Sequence, residues 1–471
     1  MTRSGRSTGV VAVVLACALA VPGRTLAALD ERELGRRFML EARAELPLVT
    51  DPVVSRYVER IGHKLVDALG PQQFDYHFYV VESPVLNAFA VPGGYIFVFS
   101  GLLARVGNDD ELAAVLAHEI GHAHAHHIVR LQNAATPWTV AAILGMLLSA
   151  VHPVLGAGAV AAAESMALRY SREFEQEADY LGLHYASEAG YDPRAMASFF
   201  KHLLAEQRLN PTGVAPYMLT HPLTEERIAH VETTITHEKL KSPAGRPAAA
   251  AELAEIQAVT QAIAEPADVV IGRYRRSADE KPDDAERQFL LGRVYQTIGQ
   301  LDAARAALER SRDRGGLGGR VDRPLGAVYL GLKADEQAAG ALRRHLARDP
   351  DDGWSHLELG KALADGDDPK GALKEFERAL ALDPDLDEAH RLTGLALGRQ
   401  GNEVEGFYHL AVASRLRGEL EQSLSHFRRT DSLLPAGSPR KKEVQQAIEE
   451  LRPIVLERER QREERRRTGR R

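Results

Sequence analysis

The chain has 471 residues, 44% of them hydrophobic and 27% charged, and a formal net charge of −7. This is the balance of a folded protein of several domains; it excludes collagen-like and wholly disordered classes and argues against nucleic-acid binding through bulk positive charge. The one cysteine, Cys17, excludes an internal disulfide framework and a site built from several thiolates, so a bound metal must rely on His, Asp and Glu.

At the N-terminus, Arg3 and Arg6 precede an apolar run from Val10 to Val21, with Ala27 and Ala28 after it. This predicts a secretory signal peptide over 1–28, since the run is short for a membrane span. Lipid anchoring at Cys17 is the weaker alternative, because Val14-Leu15-Ala16-Cys17 matches a lipobox only loosely. A dense globular region, 29–237, follows. Within it, Pro92-Gly93-Gly94 is a turn signal and Tyr95 to Phe99 reads as a strand, predicting a small hairpin or sheet. Leu112 to His122 reads as a helix: good helix formers, apolar residues at helical spacing and no proline. From Leu131 to Ala163 there is no Asp, Glu, Lys or Arg, and Trp138 to Val151 is strongly apolar before His152-Pro153 interrupts it. The main expectation is packing against the neighbouring helices; the sharper one is peripheral membrane contact through 138–160. Arg169 to Asp179 predicts a second helix, rich in carboxylates.

Residues 238–281 loosen into a predicted linker, with Ser242-Pro243-Ala244-Gly245 and an alanine run at 248–251. Over 282–436 the sequence repeats. Gly292, Gly326, Gly360 and Gly394 recur every 34 residues; Ala304, Ala338 and Ala372, and then Leu308, Leu342 and Phe376, keep the same phase. That period and small/large alternation resemble the tetratricopeptide repeat, an antiparallel helix pair per unit. Leu410, Phe427 and Pro435 suggest a further, out-of-phase pair, and 437–471 reads as a charged tail.

The chemistry lies in His118-Glu119-Ile120-Gly121-His122. On a helix the two histidines, at i and i+4, leave one face and can reach one ion, and two neutral imidazoles suit zinc. Glu119 is placed to hold and deprotonate a metal-activated water. His124, His126 and His127 are expected at the surface or behind the ligands. A catalytic zinc usually has three protein ligands. On residue type alone Glu173, Glu175 and Glu177 are rivals for the third, while Glu175 and Asp179 share a helical face.

These motifs resemble the zinc metallopeptidase family of the CAAX prenyl proteases, HtpX and the Oma-type proteases, and within it the BepA-like group that adds C-terminal tetratricopeptide repeats. The matching residues are His118 to His122, Glu175-Gln176-Glu177-Ala178-Asp179, Thr220-His221-Pro222 with Glu226-Arg227-Ile228, and Asn87 to Gly94 with Ile96 to Phe99. The resemblance implies Glu175 as third zinc ligand, with Asp179 steadying a ligand imidazole. It also brings His221 and Arg227 to the cleft. His221 is expected either to latch the open zinc position or to stabilise the transition state, the latch being favoured; Arg227 is the stronger candidate for oxyanion support.

The resulting expectation is a mainly α protein: a zincin-like peptidase domain with a small β-sheet, then an all-α repeat solenoid. It would be an exported zinc endopeptidase with one Zn2+ per chain and protein substrates. The resemblance implies a periplasmic location and quality control of outer-membrane proteins, with misassembled proteins or their assembly machinery held by the repeats. The rival reading is a chaperone or assembly factor that binds clients through the repeats and cleaves little; an intact Glu119 favours the enzyme.

Overall fold

The computed structural model describes residues 31–134, 172–209, 217–218, 221–241, 250–366 and 368–468. The expected signal peptide, with the alternative at Cys17, and the apolar 138–160 stretch lie outside them. Contacts divide the chain into two units, Met1–Met39 with Glu45–Val270, and Leu40–Ala44 with Ile271–Arg471.

The first unit begins with α1 (Glu31–Glu45) and α2 (Pro52–Asp67). Asp51 caps α2 by accepting from the Val53 N–H, and Pro52 occupies its first turn, where no N–H is needed. Three strands follow: β1 (His77–Val81), β2 (Ala88–Val91) and β3 (Tyr95–Phe99), in the order β1-β3-β2. The expected hairpin is β2 with β3, paired antiparallel with Phe89 opposite Phe97, and its turn places Gly93 and Gly94 at positive φ. β1 joins β3 in parallel, His77 opposite Tyr95.

After the short α3 (Ser100–Leu103) comes α4 (Asp109–His124), which carries the paired histidines. Asn108 caps it through the Glu111 N–H, and the buried Glu111 carboxylate accepts from the Gly107 N–H. This reciprocal arrangement fixes where the helix starts. α5 (His127–Ala134), α6 (Arg172–Glu188), α7 (Arg194–Leu209) and α8 (Glu225–Glu238) follow. α4 lies in the middle of the core: Leu112, Leu116, Ala117 and Ile120 pack with Val58 and Ile61 of α2, Ile96 and Val98 of β3, and Leu183 of α6.

The stretch expected as a linker is instead mostly helical. α9 (Ala250–Ala264) and α10 (Ala267–Glu280) occupy it, and Leu253, Ile256 and Val259 are buried in the core of the first unit. The residues from Leu253 onward form a packed helix because their apolar side chains recur at helical spacing, which the loose polar flank at 238–245 obscures in the sequence.

The second unit is built of helix pairs: α11 (Ala285–Ile298) with α12 (Leu301–Arg314), α13 (Asp322–Gly331) with α14 (Asp335–Leu346), α15 (Gly353–Asp365) with α16 (Pro369–Leu382), and α17 (Asp387–Arg399) with α18 (Glu403–Leu416). The recurring glycine is a contact point in each of the first three pairs. A Cβ on Gly292 would stand 2.6 Å from Leu308, one on Gly326 2.6 Å from Leu342, and one on Gly360 2.5 Å from Phe376. The large residue of the second helix therefore fills the notch left by the small residue of the first. α19 (Leu420–Leu433) and α20 (Pro439–Thr468) form the last, out-of-phase pair. The region read as a charged tail is thus helical almost to its end. Val444, Ala447, Leu451 and Val455 are buried with Leu424 and Phe427, because four apolar residues at helical spacing interrupt the charges.

Candidate metal centre

Three segments bring the site together. α4 supplies His118, Glu119 and His122, α6 supplies Glu175 and Asp179, and the segment leading into α8 supplies His221, with Arg227 in the first turn of α8. All seven are buried. α4 and α6 approach closely because of two glycines. A Cβ on Gly121 would meet the Ala178 carbonyl oxygen at 3.0 Å, and one on Gly182 would meet the His118 backbone nitrogen at 3.0 Å. This proximity lets a glutamate, with its short reach, arrive at the imidazoles of a neighbouring helix.

His122 Nε2 lies 3.0 Å from His118 Nε2, and His221 Nδ1 lies 3.3 Å from His118 Nε2 and 3.1 Å from Glu175 Oε1. Glu175 Oε2 is 3.5 Å from His118 Nε2, and its Oε1 is 3.4 Å from His122 Nε2. One atom from each of His118, His122, Glu175 and His221 falls within 4.8 Å of all the others. Asp179 Oδ1 sits 2.9 Å from His118 Nδ1, a carboxylate that favours the proton on Nδ1 and so the lone pair on Nε2, the atom facing His122. Without a cation, one of the two facing Nε2 atoms must carry a proton; a divalent ion takes that proton's place, so the donor set fits a metal.

Of the three rival glutamates, Glu175 alone points inward. Glu173 is exposed and Glu177 half-buried, as expected when only every third or fourth residue of a helix can share a face. Burial pushes the Glu119 carboxyl above its ordinary range, against the pull of His221 and His118; the Ala90 backbone N–H of β2 also donates to it. Burial acts on Glu175 in the same direction, yet the surrounding imidazoles, His221 foremost, hold it well below the usual carboxylate range. Burial lowers His122 strongly. The same burial acts on His118, but Asp179 and Glu175 outweigh it and raise His118 to about 10.

Arg227 lies against the same carboxylates. Its Nε and Nη2 each donate at 2.8 Å to Asp179, its Nη1 donates at 3.0 Å to the Pro222 carbonyl, and Nη1 also lies 2.7 Å from Glu175 Oε2. The guanidinium also lies on the Phe200 ring, 4.9 Å from its centroid. Each of the three nitrogens meets the site's own carboxylates or backbone, so the guanidinium is turned toward Asp179 and Glu175. Thr224 explains its position: the side chain accepts from the Arg227 N–H, starting α8 three residues before the arginine. The resemblance brings Arg227 to the cleft, and the structure places it there against Asp179 and Glu175.

Of the three histidines expected at the surface or behind the ligands, His127 is the one that lies behind His122. It shares a run with His124 and His126, and only the fold separates them: His124 is exposed, His126 half-buried and His127 fully buried. Tyr217, whose ring lies 4.7 Å from that of His221, gave no signal in the sequence at all.

Among known proteins, the Peptidase family M48 profile matches residues 52–235. The beta-barrel assembly-enhancing protease of Yersinia pestis is 25% identical over 456 residues, covering 92% of this chain and 90% of the relative. The putative beta-barrel assembly-enhancing protease of Vibrio cholerae is 36% identical over 216 residues, 44% of each chain. The mitochondrial metalloendopeptidase OMA1 of Schizosaccharomyces pombe is 32% identical over 190 residues, 39% of this chain and 54% of that one. Among solved structures, MamA from Desulfovibrio magneticus RS-1 covers 36% of this chain and 96% of its own, with 18% identity and a TM-score of 0.32. The buried His-Glu-x-x-His helix and the inward carboxylate of α6 lie within the matched profile: residues 52–235 are a Peptidase family M48 domain, which carries the candidate metal centre.

Proposed function

We propose that the protein is a zinc-dependent endopeptidase of the periplasm that acts on proteins during outer-membrane protein assembly, with its repeats recruiting clients or assembly partners. The carrying observation is the convergence of His118, His122, Glu175 and His221 with the Glu119 carboxylate beside them. His118, His122 and Glu175 would hold the metal. Zinc, when bound, supplies the Lewis acidity that polarises a peptide carbonyl and acidifies water. Glu119 takes the proton at its carboxylate and returns it to the departing amine; burial, by raising its affinity for that proton, brings it closer to the operating pH. Asp179 keeps the proton on His118 Nδ1, and Arg227 holds Asp179 and Glu175 in register. The outer-membrane assignment is supported by relatives named for beta-barrel assembly that match over 92% of the chain, and the location follows from it together with the signal-like N-terminus. Among the described residues no helix is long and apolar enough to cross a membrane.

His221 is the resting latch in this reading. Its Nδ1 stands among the ligand atoms, where it closes the position a substrate needs. Replacing His221 by Ala should raise basal proteolysis while zinc content holds; a fall in turnover without loss of substrate binding would instead make it a transition-state donor. The decisive test of the enzyme itself is Glu119→Gln. Zinc by elemental analysis should stay at one per chain, and cleavage of an unfolded protein substrate should drop by roughly 10²–10⁴-fold. Full activity in that variant ends the general-base assignment. Activity too low to measure in the wild type would favour the chaperone reading.

A further inference from the structure

α4 ends at His124, and the chain turns through His126, whose φ of 54° is left-handed, before α5 begins at His127. That turn carries the His127 side chain inward behind His122, with none of it exposed. His127 Nδ1 is 2.8 Å from His122 Nδ1, and His127 Nε2 is 3.1 Å from Glu177 Oε2. The ring is clamped flat against Phe174, 4.4 Å between centroids and 7° from parallel. Arg130 covers the same Phe174 ring at 4.6 Å and donates to Glu177 Oε2 at 2.8 Å.

The polarity of this chain follows from donor and acceptor chemistry. A carboxylate only accepts, so the proton between Glu177 and His127 sits on His127 Nε2. A neutral His127 then has a lone pair at Nδ1. The contact between the two Nδ1 atoms needs one hydrogen, and His122 must provide it. With a metal ion in place of the proton between the two Nε2 atoms, His122 keeps its hydrogen on Nδ1 and would offer its lone pair at Nε2, the atom that faces His118 and Glu175. Glu177, half-exposed on the outer side of α6, therefore selects the tautomer of a buried imidazole two residues removed from it in the relay.

We propose that His127 is a positioning residue of the metal centre and that Glu177, acting through it, sets the tautomer and ring orientation of His122. Glu177 is then no failed rival of Glu175: a step of two residues, about half a turn of one helix, gives one carboxylate to the metal and another to the back of a ligand. The arrangement is complementary to that on His118, where Asp179 contacts Nδ1 directly. This inference rests on His122 being a metal ligand.

The test uses the full chain and zinc alone, with affinity measured by competition against a chelating dye and the apo-protein melting temperature followed in parallel. Wild type should take up one zinc and His122→Ala should lose it; failure of either ends the metal-site reading and this inference with it. Given both, His127→Leu should weaken zinc by about 10- to 100-fold. Glu177→Leu should weaken it by a smaller factor, and the double variant should match His127→Leu alone, because the two act in series. Cobalt(II) substituted into Glu177→Leu should show an altered visible absorption spectrum, a change that a purely structural loss on the outer face of α6 would not produce. Arg130→Leu, which removes the other partner of Glu177 but leaves the relay intact, should keep wild-type zinc affinity and spectrum. If His127→Leu does not fold, the contrast between Glu177→Leu and Arg130→Leu decides. Wild-type affinity in Glu177→Leu, equal losses in Glu177→Leu and Arg130→Leu, or additive losses in the double variant would each overturn the proposal.

Discussion

The two units bury different things. The peptidase unit concentrates its buried polar groups at one place, where three histidines, three carboxylates and an arginine lie within hydrogen-bonding distance of one another. The repeat unit spreads its specificity thinly: glycine against leucine or phenylalanine, once per helix pair. In the first, removing one group leaves others charged and unpaired, so damage should be large and local. In the second, a change alters one notch, and neighbouring pairs still pack, so damage should be moderate and divisible.

The sharpest contrast lies within one helix. Glu175→Ala should abolish zinc retention on a desalting column, Glu177→Ala should weaken it partially, and Glu173→Ala should leave it at wild type, as elemental analysis would report. Equal losses would mean that the buried position of Glu175 has no special role. Next in size is Arg227→Ala, which leaves Asp179 and Glu175 buried without their cation and should cost about 3–5 kcal/mol of stability in urea unfolding. Lysine at that position should recover only part, since an ammonium cannot bridge both carboxylates as a fork does. An oxyanion donor would show the opposite pattern, with lost turnover and unchanged stability.

The repeat unit should respond less. Gly326→Ala drives a methyl into Leu342 and should cost about 1–3 kcal/mol, seen as an earlier unfolding transition, while zinc content is unaffected. Smallest is a pH effect at the last pairs. Burial, then His390 and Arg440, lower the His409 imidazolium from its ordinary value to about 4. Its stabilising effect is complete above pH 6.5 and is lost as pH falls from there toward 4, because the unfolded chain takes up the proton first. The melting temperature should therefore fall by a few degrees, roughly, between pH 7 and 5, and by less in His409→Gln. A fall of the same size in His409→Gln would place the titrating group elsewhere.

The same contrast explains what could be read in the sequence. A 34-residue period and a His-Glu-x-x-His motif are local regularities, repeated or fixed by helical spacing, so both were legible. The choice of Glu175 over its neighbours needed family resemblance, because three acids at alternate positions look alike until the helix is rotated against α4. The task of Arg227 and the inward turn of His127 depend on contacts across 48 and 50 residues of sequence, with Asp179 and Glu177 respectively. No local pattern encodes these. The helix at 250–264 was missed for a milder reason: its apolar face follows a stretch whose composition reads as loop.

A solenoid has no natural end. Each helix pair offers its successor an apolar face, and a second molecule could occupy that face as readily as the next pair of the same chain. α20 supplies the last apolar seam, Val444, Ala447, Leu451 and Val455, to the preceding pair, while its remaining positions are dominated by arginine, lysine, glutamate and glutamine. The outer side of α20 is thus highly charged and hydrated, which disfavours stacking of another apolar face against it. The composition that reads as a charged tail is what makes that outer side a poor seat for a further apolar face.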